Sequence, residues 1–177
     1  MKRLLPQLFL LFLEFHIYSG KTFTFLDHSS SYIEYTQWDA AEAGNLTFSF
    51  KTHKPYGLLL YSDNNKNIGS GESYINLKLK YGNLKLTVQM GGEDYKSKQV
   101  KELKVDKKLN DLKWHKVSLQ RNKRLTVLEI DDGKYRATLM NQGEEDRLFL
   151  NSGIFIGGIS KEMKTSLIDR TVLTTPR

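Results

Sequence analysis

Apolar residues along this chain alternate with polar ones far more often than they fall at helical spacing. The alternation recurs at Phe23 and Phe25, Leu46-Phe48-Phe50, Ile75-Leu77-Leu79, Leu84-Leu86-Val88-Met90, Val117-Leu119, Leu128-Ile130 and Ile154-Ile156. A period of two puts one face of a strand against a core and the other toward water, so each segment is expected to be a half-buried strand. Turn-forming residues separate them: Asp63-Asn64-Asn65, Tyr81-Gly82-Asn83, Asn122-Lys123, Asp132-Gly133 and Gly157-Gly158. Short strands at near-even spacing, only three prolines and no convincing helical stripe predict an all-β fold, a two-sheet antiparallel sandwich or jelly roll. Residues 93–113 are lysine-rich and lack alternation, and are expected to form a mobile connection.

The stretch WHKVSLQRNKRLTVLEIDDG, residues 114–133, gathers basic residues, a Trp-His pair and two aspartates. A strand over 115–121 sets His115, Val117, Leu119 and Arg121 on one face and Lys116, Ser118 and Gln120 on the other. Asn122-Lys123 then turns the chain, and residues 124–130 return beside it. The charges are read as the solvated side and tip of a hairpin. His115 shares parity with apolar residues and is read as a core histidine bonded to backbone rather than a ligand or base. Asp131-Asp132-Gly133 reads as the next turn, because Asp-Gly tolerates positive φ.

At 177 residues the chain suits one domain of ordinary size. Residues 1–20 carry Lys2 and Arg3, an apolar run from Leu8 to Leu13, and the small residues Ser19 and Gly20, which is the pattern of a secretory signal peptide. A single domain over 21–177 follows. The apolar run is about half the ~20 residues that a spanning helix needs. There is no cysteine, which excludes thiol chemistry and disulfide stapling. The formal charge of +7 falls to about +6 once Lys2, Arg3 and Glu14 leave with the signal, and a basic secreted surface suits anionic glycans or acidic partners better than nucleic acid.

Four segments in order, GNLTFSFKTHKPYGLLLYSD (44–63), SYINLKLKYGNLKLTV (73–88), KWHKVSLQRNKRLTVLEIDD (113–132) and NSGIFIGGI (151–159), resemble the laminin G-like domain over nearly all of residues 22–173. With YTQWDA (35–40) ahead of them, the chain is most similar to the first such domain of neurexin-type proteins. The resemblance implies a jelly-roll sandwich acting as an extracellular recognition module in adhesion, synapse organisation or matrix attachment, and no enzyme. It also implies a Phe-x-Gly motif after IFIGG that closes the sandwich. Here the sequence stops at Thr175-Pro176-Arg177, so a truncated domain lacking its closing strand is expected. Family members that bind calcium do so at the rim of the sandwich, at places matching Ser73, Met90, Phe149 and Asn151, with an Asp where this chain has Ser73. Calcium wants six to eight oxygens, carboxylate among them. A weak or absent site is therefore expected, with Glu72 the one acidic neighbour that could reach in.

Catalysis finds no support in the residues. Retaining glycosidases need two carboxylates about 5–5.5 Å apart across a cleft, and the densest acidic cluster, Glu144-Glu145-Asp146, is consecutive. Ser118 and Ser152 lack a nucleophile elbow, and no helix follows Gly157-Gly158 to make a phosphate loop. Two sites remain from the residues themselves. Asn45-Leu46-Thr47 is an N-glycosylation sequon whose Asn is expected outward. Lys78, Lys80 and Lys85 share a polar sheet face suited to sulfated glycosaminoglycan, the other reading being an ordinary solvated face. The function expected is secreted or cell-surface recognition of a protein or glycosaminoglycan. A lectin that binds carbohydrate through an aromatic rim is the alternative.

Overall fold

The computed structural model describes residues 11–15, 21–25, 31–64, 73–90, 99–141 and 147–159. They form twelve strands: β1 Leu11–Phe15, β2 Lys21–Phe25, β3 Ile33–Tyr35, β4 Ala43–Lys51, β5 Gly57–Asp63, β6 Tyr74–Lys80, β7 Asn83–Met90, β8 Gln99–Val105, β9 His115–Asn122, β10 Leu125–Ile130, β11 Tyr135–Met140 and β12 Ile154–Ile156. All the pairings are antiparallel. One sheet runs β11-β10-β9-β4-β1-β2 and the other β3-β12-β5-β6-β7-β8. No helix occurs among the described residues. This is the two-sheet sandwich that the alternation predicts.

The registers show why these residues choose these faces. Phe48 sits opposite Val117 and Leu46 opposite Leu119, while Leu77 faces Leu86 and Ile75 faces Val88. Those side chains turn inward together and merge into one core. Phe48, Phe50, Ile75, Leu77, Leu84, Leu86, Val117, Leu119, Leu128 and Ile130 are fully shielded from solvent. The outward residues of β4 and β9, such as Asn45, Thr47, Lys116 and Ser118, are polar, which suits the outer side of an antiparallel sheet. A bulge between Leu58 and Leu60 shifts the register of β5. Leu58 and Tyr61 thereby join Phe155 and Ile159 in a small second apolar cluster.

Residues 99–105, read as mobile connection, are instead the edge strand β8, paired with β7 from Leu84 opposite Val105 to Met90 opposite Gln99. Val105 is buried and Leu103 packs partly on the core, whereas Glu102 and Lys104 face out. A charged edge strand shows little contrast between its faces, because one side of it meets water rather than a neighbour. β1, within the segment read as a signal peptide, lies between β4 and β2, with Phe15 opposite Phe48 and Leu13 opposite Phe23.

The connections gather at two ends. At one lie the β4–β5 loop, the Tyr81-Gly82 turn, the β8–β9 connection and the β10–β11 turn. At the other lie the ends of β5 and β7, the start of β6 and residues 147–153. Those two rims are where recognition chemistry can sit, since the sheet faces between them are fixed by packing.

Candidate functional site

The rim implied to hold calcium comes first. Tyr74 pairs with Gln89, so Ser73 and Met90 lie one step further along at the same end. The Asn64 amide donates to the Ser73 carbonyl at 3.0 Å, and the Asn151 side-chain amide donates to the Asn64 carbonyl at 3.2 Å. Both backbone N–H groups of Asn151 and Ser152 donate to the Asp63 carbonyl, at 2.8 and 2.9 Å. Ser73 is buried, Asn151 is exposed and Phe149 is 48% exposed. The structure thus brings the implied positions to one end. Glu72 lies outside the described residues.

The described residues of this rim do not by themselves make a calcium site. The buried carboxylate woven into it, Asp63, accepts a hydrogen bond from the Tyr61 hydroxyl at 3.1 Å. Burial first, and then the Asp63 charge, push the Tyr61 phenol far above its ordinary value, so that proton stays in place. Among the described residues no three His, Asp or Glu side chains stand close enough to hold a metal. A buried cation lies nearby as well, for the Arg121 guanidinium approaches Met90 Sδ at 3.9 Å. A divalent ion beside it would meet repulsion in a low-dielectric setting. At the places the resemblance implies, the hydroxyl, carboxamide and carbonyl oxygens of Ser73, Asn151, Met90 and Phe149 carry no formal charge to offset that.

The opposite rim is built differently. Loop 52–56 forms its spine. Gly82 donates its N–H to the Pro55 carbonyl at 2.7 Å, Leu112 to the Thr52 carbonyl at 3.1 Å, and the Asn110 side chain to the His53 carbonyl at 3.3 Å. Leu109 N–H in turn meets the Gly82 carbonyl at 2.8 Å, and Lys108 Nζ bonds the Tyr81 carbonyl. Three loops distant in sequence are therefore stitched into one surface. It displays Tyr81, Leu112 and Trp114, which are 61%, 47% and 42% exposed. Tyr56 meets Tyr81 edge-on at 5.0 Å between centroids, and Lys51 Nζ stands over the Trp114 ring at 5.4 Å.

His115 anchors this rim from below. Its ring is 4% exposed and lies 5.9 Å from that of Phe50. The reading as a core histidine holds, but its partners are carboxylates and not backbone: Nδ1 meets Asp131 Oδ2 and Nε2 meets Asp111 Oδ1, each at 3.0 Å. Asp131 also accepts the Lys116 N–H at 3.2 Å. The clamp ties the β8–β9 connection to the β10–β11 turn. Burial alone would raise the Asp111 carboxyl, but hydrogen bonds from His115 and the Lys113 amide outweigh it and hold the group below its ordinary value.

Of the lysines assigned to a sulfated-glycan face, Lys78 is only 8% exposed, Lys85 is ion-paired with Glu102 at 2.6 Å, and Lys80 alone stands exposed, beside Tyr81. Asn45 is exposed on β4 between half-buried Gly44 and buried Leu46. Ser118 is half-buried on the outer face of its sheet, and Ser152 bonds Ser62 Oγ and the Asp63 N–H. Neither serine touches a histidine in any bond described.

Comparison with known proteins settles the family. The family description "Laminin G domain" matches residues 50–173, well over half of the chain. The chain belongs to the laminin G domain family. Its sequence is 31% identical over 131 residues to Neurexin 1 of Drosophila melanogaster and 32% identical over 134 residues to Contactin-associated protein 1 of Rattus norvegicus. These alignments cover 73% and 75% of this chain but 7% and 9% of those relatives. Among solved structures, domains LG4-5 of the mouse laminin alpha1 chain superpose with a TM-score of 0.64 at 20% identity, covering 84% of this chain and 34% of that one. The LG1-3 region of the laminin alpha2 chain gives a TM-score of 0.57 at 16% identity, covering 80% of this chain and 31% of that one. At such identities these structures speak for the laminin G fold alone. Among the described residues no helix is long and apolar enough to cross a membrane.

Proposed function

We propose that this laminin G domain is a secreted or cell-surface recognition module, without enzymatic activity, that binds an extracellular protein or glycosaminoglycan partner. The observation that carries the reading is the family match over residues 50–173, on a sandwich whose loops converge at two rims. Recognition by loops on a rigid scaffold needs no titrating dyad and no nucleophile, and it leaves the sheets free to supply stability. An N-glycan on Asn45 suits this setting, because the residue is exposed on the outer face of β4. Partner binding is expected to survive a calcium chelator.

A cell-surface interaction screen run beside a glycan array tests the proposal. Capture of an extracellular protein or a sulfated glycan, with chelator present, is the expected result. Retention of neutral oligosaccharides alone would replace it with the lectin reading. A mass decrease on endoglycosidase treatment, lost in Asn45→Gln, checks the glycan.

A further inference from the structure

We infer that the rim formed by residues 52–56, 81–82 and 106–114 docks onto the surface of an anionic lipid bilayer. The inference starts from two side chains that the fold itself does not favour. Tyr81 and Leu112 have φ of 53° and 63°, in the left-handed region where glycine or asparagine is at ease and a leucine is strained. Tyr81 also heads a two-residue hairpin turn with Gly82 (φ 78°), where Asn-Gly would be the favoured pair. Neither gains a buried contact in exchange, since both are among the most exposed large side chains described. A strained, exposed tyrosine and leucine on a surface locked by inter-loop hydrogen bonds point to a use outside the fold.

The character of the surface names the occupant. Leu112 and Trp114 are apolar tips, and the segments that build this end carry Lys51, Lys54, Lys80, Lys107, Lys108 and Lys113, with Lys51 Nζ over the Trp114 ring, Lys107 Nζ over the Tyr135 ring and Lys108 Nζ at the Tyr81 carbonyl. Every described carboxylate at this end is engaged: Asp111 and Asp131 by His115, Asp132 by Lys116 at 2.6 Å, and Asp106 by Lys104 at 3.3 Å. The surface thus presents apolar groups within a field of positive charge. Sugar stacking would compete with the lysine on one face of Trp114 and with the edge-on contact between Tyr56 and Tyr81. Protein interfaces are depleted of lysine relative to the rest of the surface. Aromatic and leucine side chains entering the headgroup boundary, with lysines reaching anionic heads, account for the whole set.

The test uses the purified chain with phosphatidylcholine vesicles, with and without phosphatidylserine. Of the two tryptophans, Trp38 is buried and Trp114 exposed, so a blue shift of emission on binding reports Trp114. The expected result is co-sedimentation with the mixed vesicles, a blue shift, and release by high salt as the Debye length falls from ~10 Å at 0.1 M to ~3 Å at 1 M. The variant Tyr81→Asn with Leu112→Gly relieves backbone strain. It is expected to melt at the same or a higher temperature while binding at least about tenfold more weakly. That opposition of signs separates docking from a folding defect. Failure to bind the mixed vesicles, binding without a blue shift, or undiminished binding by the variant would each overturn the proposal. A Trp114 shift with heparin oligosaccharide but none with vesicles would assign the surface to a glycan and overturn it too.

Discussion

Replacing Gly82 by alanine tests whether the aromatic rim is locked in the way its hydrogen bonds indicate. Gly82 has φ of 78°, and a Cβ added there would fall onto Asn110 Oδ1 and within 3.0 Å of Asn110 Cγ. Two losses follow. The left-handed backbone costs an L-residue about 1–2 kcal/mol. Displacing the Asn110 side chain sacrifices its bond to the His53 carbonyl, a further ~0.5–1.5 kcal/mol. The backbone bonds from Gly82 to Pro55 and from Leu109 to Gly82 resist relaxation, so the turn cannot move away without losing them as well. Gly82→Ala is therefore expected to destabilise the domain by about 2–3 kcal/mol, or roughly 5–10 °C in melting temperature for a domain of this size. Urea unfolding of three variants separates the terms. Gly82→Asn tolerates the backbone but keeps the steric conflict, and should fall between Gly82→Ala and the parent. Asn110→Ala removes the obstacle, so Gly82→Ala combined with it should lose less than the sum of the two single changes, by about 0.5–1 kcal/mol. A Gly82→Ala protein as stable as the parent, or strict additivity with Asn110→Ala, would refute the picture of interlocked loops.

Three other outcomes are expected. Asp131→Asn removes a charged partner of His115 while tolerating the φ of 55° at that position; it should lower stability by about 1–2 kcal/mol in urea, and much less in a His115→Phe background. Because the folded state holds the Asp111 carboxyl below its unfolded value near 3.8, its contribution is present above that pH and lost as pH falls through the lower folded value. Melting temperatures followed from about pH 5 to 2 should drop less steeply in Asp111→Asn than in the parent. For calcium, a site of micromolar affinity would add about 4 kcal/mol at millimolar ion, so a melting temperature unmoved by millimolar calcium is expected, and a rise of several degrees would reverse the assignment of that rim.

The strands with contrasting faces were legible from the sequence alone. β4, β6, β7, β9 and β10 lie inside their sheets, with apolar side chains on the core face and polar ones opposite, and the alternation at Leu46-Phe48-Phe50 or Leu84-Leu86-Val88 records that contrast directly. β8 and β11 are the outer strands at one side of the sandwich, and β11 buries only Leu139 fully. Their weaker pattern of burial erased the signal, which is why a lysine-rich strand resembled a connection. The rims were less legible for another reason. Thr52, His53, Pro55, Gly82, Asn110 and Leu112 are brought together by three separate chain reversals, and nothing in local spacing marks Pro55 as the acceptor for Gly82 or Asp111 as the partner of His115.

The two ends of the sandwich also show how one pattern serves two purposes. Arg121 occupies the inward parity of β9, in line with Val117 and Leu119, and its position in a basic stretch suggests a solvated charge. It is instead buried, donating to the Ala40 carbonyl at 3.2 Å, the Lys123 carbonyl at 2.6 Å and Thr126 Oγ1 at 3.4 Å. A guanidinium can be retained there because its fixed fork of donors meets several acceptors at once, which a lysine ammonium on a flexible stem would not reproduce. In doing so it closes the end of the core beside Met90 with positive charge. At the other end the inward position of the same strand holds His115, whose two ring nitrogens meet the partly exposed carboxylates of Asp131 and Asp111. The same strand thus carries a buried guanidinium at the Met90 rim and, at the aromatic rim, a buried imidazole whose partly exposed aspartate partners lie among surface lysines.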